Sequence, residues 1–196
     1  MNRIRIASCV AHQPGWCSVS TLPRPIRRTP LDDITHLAAT LGQQLLAAGA
    51  QVSTAESCTG GGIAEAITRI PGSSAWFEAG YVTYSNRQKT RQLAVPEALF
   101  AQVGAVSREV VEAMAKGAQA NSGAQFSVAV NGVAGPGGGS AEKPVGTVWV
   151  CWGVAERLIA ECFLFAGDRD AVRRQTVSAA LEGLVRLSRG EIPNQG

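Results

Sequence analysis

Histidine is scarce in this 196-residue chain: there are two, His12 and His36. A histidine-based nucleophilic site needs an imidazole beside its serine or cysteine. His12 lies in an N-terminal segment without apolar periodicity. His36 lies mid-helix, four residues from Asp32 and from Thr40, and reads as a solvated helix residue. A Ser-His-Asp triad is therefore not expected. Cysteine is also unpatterned: Cys9, Cys17, Cys58, Cys151 and Cys162 are odd in number, irregular in spacing and contain no CxxC pair. That argues against a structural zinc site or a redox dithiol, and for free thiols in a reducing, cytoplasmic setting. No apolar run approaches the roughly 18–20 residues that span a bilayer, so no membrane partner is expected.

Acidic residues are missing from positions 1–30, which hold Arg3, Arg5, Arg24, Arg27 and Arg28 together with four prolines. Of the net charge of +3, this segment carries +5 and leaves −2 for the remainder. A body so close to neutral lacks the clustered basic surface that nucleic acid requires. The segment has no continuous apolar stretch of the signal-peptide kind. A disordered extension over 1–30 and one folded domain over 31–190 are expected.

What is present is alternation. Leu31, Ile34, Leu37, Ala38, Leu41, Leu45 and Ala48 recur at helical spacing, and Gly49 follows as a stop. A strand is expected near 51–54, a helix over about 61–70 and a turn at Pro71-Gly72-Ser73. Ala79 to Ser85 reads as a strand, 86–93 as a short helix, and Pro96 as the first residue of another. Ser107 caps a longer helix, 126–130 is a strand, and 133–142 is a glycine-rich loop. Two apolar strands, 145–152 and 157–165, read as an antiparallel hairpin, and Asp168 caps the last helix. The pattern predicts an α/β fold: a three-layer α/β/α sandwich on a mixed, mostly parallel sheet.

Three clusters can carry chemistry. In the first, Glu56-Ser57-Cys58-Thr59-Gly60-Gly61-Gly62 joins a strand to a helix by a tight glycine turn. A serine there can stand clear of the backbone beside helix N-terminal amides, which suit an oxyanion or an anionic group. A serine before glycines is more often a cap, and Cys58 is the alternative nucleophile. Without histidine, a lysine of lowered pKa is the remaining base, and Lys89 in the second cluster, 83–89, is the candidate. Tyr84 can relay or orient the proton. The Tyr84–Lys89 spacing of five does not fit one face of a continuous helix. The third cluster, 132–147, contains Gly135, Gly137 and Gly138, whose amides can form a phosphate nest; Lys143 and Arg169 can add charge.

At these residues a family resemblance emerges. Ala55-Glu56-Ser57-Cys58-Thr59-Gly60-Gly61, Gly72-Ser73-Ser74-Ala75-Trp76-Phe77, Tyr84-Ser85-Asn86 with Lys89, Gly104-Ala105-Val106-Ser107, Ala134-Gly135-Pro136 with Gly138-Gly139-Ser140, Lys143-Pro144-Val145-Gly146-Thr147-Val148 and Gly167-Asp168-Arg169 together resemble the CinA C-terminal domain family. The resemblance runs from about Leu31 to Ser188. It implies a nicotinamide-nucleotide amidase that converts nicotinamide mononucleotide to nicotinate mononucleotide and ammonia, without metal or cofactor. It places the catalytic serine, tyrosine and lysine on Ser57, Tyr84 and Lys89. Glu56, Thr59, Gly60, Gly61, Gly135, Gly137, Gly138 and Arg169 are the substrate-binding candidates. It also implies a homodimer. Asn131 departs from the serine or threonine usual in the family. A non-catalytic nucleotide-binding module and a serine–lysine amidase for another substrate are the alternatives.

Overall fold

The computed structural model describes residues 31–193. The extension expected over 1–30, with His12, Cys9 and Cys17, lies outside them. The described chain runs α1 (Leu31–Ala48), β1 (Val52–Glu56), α2 (Gly62–Thr68), a 3-10 turn (Ser73–Ala75) and β2 (Phe77–Val82). It continues through α3 (Asn86–Leu93), α4 (Glu97–Gln102), α5 (Arg108–Ser122) and β3 (Phe126–Gly132) to the hairpin β4 (Thr147–Val154) and β5 (Arg157–Leu164), and ends in α6 (Arg169–Ser188).

The five strands form one sheet in the order β2-β1-β3-β4-β5. β1 pairs in parallel with β2 and β3, while the β3–β4 and β4–β5 pairings are antiparallel. Pairings are thus evenly split, although only β4 runs against the other four strands. α1, α2 and α6 cover one face and α5, with α3 and α4, the other. Each face has its own apolar cluster, one around Leu41, Ile63, Val130, Trp152 and Leu184, the second around Leu93, Val111, Met114 and Ala129.

Side chains buried on both faces explain why β4 reads as a near-continuous apolar run, whereas β1, equally buried, carries Ser53, Thr54 and Glu56 inside. Close packing is set by small residues. A Cβ on Gly183 of α6 would overlap the indole of Trp152, whose Nε1 donates to the Ala180 carbonyl at 2.9 Å. A Cβ on Gly42 of α1 would stand 2.7 Å from the Trp76 ring. Both tryptophans can therefore lie flat under a helix.

Two boundaries differ from the sequence pattern. β2 ends at Val82 rather than Ser85: Thr83 N still donates to the Glu56 carbonyl at 2.9 Å, and the chain then turns so that the Ser85 side chain can accept from Gln88 N and cap α3. Pro96 is the cap of α4 rather than its first residue. The first shift lies at the carboxyl ends of the parallel strands. Crevices for ligands form at such ends, where successive helices leave to opposite faces.

Candidate active site

Ser57 is the first residue beyond β1. Its amide donates to the Val130 carbonyl of β3 at 3.1 Å, and its own carbonyl accepts from Gly60 N at 3.0 Å. The turn then closes through Gly60 and Gly61 in the left-handed region, φ 61° and 96°, which glycine adopts without a Cβ clash. Beneath it lies the fully buried carboxyl group of Glu56. One oxygen accepts from Thr59 Oγ1 at 2.6 Å and Ile63 N at 3.0 Å; the other accepts from Ala64 N at 2.9 Å and Thr54 Oγ1 at 3.3 Å. The carboxyl thus satisfies orphan amides at the start of α2 and clamps the turn. Arg173 of α6 donates to the Thr59 carbonyl at 2.9 Å from the other side.

Lys89 lies one turn into α3 and is only 2% exposed. Its Nζ is 3.1 Å from Ser57 Oγ, 3.0 Å from the Thr83 carbonyl and 3.3 Å from the Tyr84 carbonyl. Burial pushes its pKa below the ordinary lysine value, opposed by the field of the neighbouring Cys58. As an ammonium Nζ can donate to all three oxygens; as a neutral amine it can donate to the two carbonyls and accept from the serine hydroxyl. Cys58 is buried, and burial drives its thiol up to about 11. It stays protonated near neutrality and is a poor nucleophile there.

Ser57, Cys58, Lys89, Tyr84, Asn131 and Arg169 line one cavity of about 310 Å³, closed by the loop 132–139 and the Ala105-Val106 segment. Its lining includes Lys89 and Arg169 but no aspartate or glutamate. Arg169, the first residue of α6, donates from Nη1 to the Gly135 carbonyl at 2.8 Å and from Nη2 to the Tyr84 hydroxyl at 2.9 Å. The Tyr84 side chain is 61% exposed, with its hydroxyl on Arg169 and its carbonyl on Lys89. Gly135 has φ 80°, and a Cβ there would stand 2.6 Å from Val145.

Of the candidates from sequence, Ser57, Tyr84, Lys89, Gly135, Gly137, Gly138 and Arg169 share this cavity. Glu56, Thr59, Gly60 and Gly61 are not in its lining. Thr59 opens instead onto a second cavity of about 220 Å³ with Arg69, Arg173 and Arg174, behind the elbow. Lys143 is absent too: its Nζ donates to the Val103 carbonyl at 3.0 Å and ties the loop to the end of α4. Two features escaped the sequence reading. Ala105-Val106 forms a wall although its motif suggested no chemistry, and Arg173 reaches the elbow from 114 residues away.

The family model for the CinA C-terminal domain matches residues 34–188. The chain belongs to the CinA C-terminal domain family. It is 72% identical over 157 residues to a protein of Pseudomonas putida named nicotinamide-nucleotide amidohydrolase PncC, covering 80% of this chain and 98% of that one. To the protein of the same name from Escherichia coli it is 52% identical over 153 residues, 78% of this chain and 93% of the relative. Among solved structures, the competence/damage inducible protein CihA from Agrobacterium tumefaciens superposes with a TM-score of 0.77 at 45% identity, over 79% of this chain and 95% of that chain.

Proposed function

We propose that this chain hydrolyses the carboxamide of nicotinamide mononucleotide to nicotinate mononucleotide and ammonia, with Ser57 as nucleophile and Lys89 as base. The observation that carries the chemistry is the 3.1 Å approach of the buried Lys89 amine to Ser57 Oγ. The names of relatives that match over nearly their whole length carry the substrate.

In this mechanism the neutral Lys89 amine takes the Ser57 proton as Oγ attacks the carboxamide carbon. Within the elbow, the Ser57 and Gly60 amides are committed to carbonyls, whereas the Cys58 and Thr59 amides make no bond to a main-chain carbonyl among the described residues. Since Cys58 lines the cavity, its amide is our candidate oxyanion donor. Lys89, now charged, returns its proton to the departing nitrogen, and ammonia leaves. Water then attacks the acyl-enzyme with Lys89 again as base. Tyr84 serves through its carbonyl, which orients Lys89, and through its hydroxyl, which orients Arg169.

Charge supports the substrate as well as the chemistry. A pyridinium ring is cationic and would be repelled by an ammonium, which favours an uncharged lysine. The phosphate is the group suited to Arg169 and the amides of Gly137 and Gly138. The amidase unit spans 31–190, and the homodimer and cytoplasmic setting implied by the family complete the proposal; sedimentation equilibrium checks the dimer.

The test is ammonia release from nicotinamide mononucleotide by the wild type and by Ser57→Ala. The wild type should turn over and the variant should lose at least about a thousandfold in kcat. Binding without turnover by the wild type would favour the non-catalytic module, and equal turnover of amides lacking the phosphate would favour another amidase.

A further inference from the structure

One buried polar side chain in the cavity has no part in the mechanism above. Asn131 is 3% exposed and lies near the end of β3. Glu56 of β1 sits beside Val130 in the parallel ladder, and Ser57 donates to the Val130 carbonyl. Continuing that register by one residue sets Asn131 beside Ser57, at the interstrand distance of about 4.8 Å.

The Asn131 amide has a fixed orientation. Its Nδ2 donates to the Ala105 carbonyl at 2.5 Å, on the wall opposite β3. Turning the amide over would set oxygen against oxygen, so Nδ2 must face Ala105. Oδ1 accepts no hydrogen bond among the described residues. Nor is it among the sealed atoms without partners, which are hydroxyls of Ser53, Thr83, Thr90 and Ser127. An Asn oxygen left open in a residue that lines the cavity faces the cavity. Such an acceptor is costly to leave dry, and a ligand donor is its natural partner.

We propose that Asn131 determines specificity for a carboxamide, its Oδ1 accepting a hydrogen bond from the substrate NH2. The inference rests on the amidase reading of this site. A carboxamide offers one acceptor oxygen and a donor nitrogen; the carboxylate product offers two acceptors and no donor. The Cys58 amide suits the carbonyl oxygen, and Oδ1 suits only the nitrogen. Together they orient the carboxamide in one of its two rotamers, with its carbon toward Ser57 Oγ. They also disfavour the product, whose second oxygen would meet Oδ1. Without that contact the positive charge of Arg169 would favour the more anionic acid. The bond to Ala105 makes the selection rigid, because Asn131 cannot turn its amide to welcome the acid.

The experiment uses Ser57→Ala as a non-reacting background and calorimetric binding of two ligands: nicotinamide mononucleotide and its methyl-ketone analogue, in which CH3 replaces NH2. The acetyl group is neutral like the carboxamide and of the same shape, so the analogue lacks only the donors. The amide should bind about five- to tenfold more tightly, the worth of one hydrogen bond. Adding Asn131→Leu should abolish that preference without abolishing binding of the ketone. If Asn131→Leu does not fold, Asn131→Ala carries the same arm. Equal binding of the two ligands in the parent, or a preference that survives loss of Asn131, overturns the inference. Ammonia release by the wild type is measured alongside. No turnover, with the preference intact and dependent on Asn131, would sink the amidase reading; turnover without the preference would sink the role of Asn131.

Discussion

Lys89 Nζ and Ser57 Oγ lie 3.1 Å apart although 32 residues separate them, and the other two neighbours of Nζ are carbonyl oxygens. No carboxylate enters this triangle, so the amine is held below its ordinary pKa by burial rather than tuned by a partner. If Lys89 must be neutral to act, kcat/KM should rise with pH along an acid limb that reports its deprotonation in the free enzyme. That limb should fall below the ordinary lysine value of about 10.4. A limb found at the ordinary value would count against Lys89 as the base.

The same shift makes Lys89 a burden on the fold. Its folded pKa is the lower one, so between the two values the unfolded chain binds more protons. Stability therefore rises with pH across that window, and the penalty is full below it. Lys89→Met should abolish ammonia release yet raise stability near neutral pH by about 1–2 kcal/mol, seen as a higher Tm. A lower Tm would mean that the bonds to Thr83 and Tyr84 outweigh the cost of burial.

Cys58, adjacent to the proposed nucleophile, should be dispensable. With its thiol pushed up to about 11, it contributes almost no thiolate near neutrality. Cys58→Ala should keep kcat within about threefold, a bound that allows for lost packing in a filled site. Alkylation by iodoacetamide should be slow below pH 9. Rapid loss of activity at neutral pH would show that the thiol is more reactive than its burial allows.

Glu56 should matter for stability before it matters for binding. Glu56→Gln places an NH2 where Ile63 N, Ala64 N or Thr59 Oγ1 now donates, so at least one buried donor loses its acceptor. Urea unfolding should report a loss of about 1–3 kcal/mol. Wild-type stability together with a raised KM would instead assign Glu56 to the substrate.

Arg169 ties two parts of the cavity mouth together by separate nitrogens. Arg169→Lys keeps the charge and loses the fork, so KM for nicotinamide mononucleotide should rise by about tenfold or more. The unphosphorylated riboside, tested as a poor substrate, should change far less. An equal loss for both would place the role of Arg169 in holding Tyr84 rather than in reading phosphate.

Much of this was legible before any coordinates. The start of α6 stands where the cap Asp168 predicts, because a local side chain–backbone bond decides it, while Ser85, read as the end of a strand, caps α3 in the same way. The Tyr84–Lys89 spacing looked wrong for a shared site because it was measured along a helix. In the fold Tyr84 precedes the cap, so its carbonyl and the side chain of Lys89 turn to the same point. Glu56 and Thr59 adjoin Ser57 in sequence, yet a strand-to-turn reversal sends successive side chains to opposite sides, and both face inward. Arg173 and Ala105 reach the site only through tertiary packing, which no local pattern encodes.

The reversal of β4 against β3 has a consequence for how such a site changes over time. The glycine-rich segment is the loop of a hairpin, and two backbone bonds close its neck: Val133 N to the Thr147 carbonyl and Gly146 N to the Val133 carbonyl, each at 2.8 Å. Everything beyond that neck can be lengthened, shortened or exchanged without rethreading the sheet or moving Ser57 and Lys89. Under the proposed mechanism, bond cleavage belongs to the parallel half of the molecule, and recognition of the distal end of the ligand is shared between Arg169 and a detachable cassette. Descendants of this scaffold can acquire new ligands by editing fewer than twenty consecutive codons.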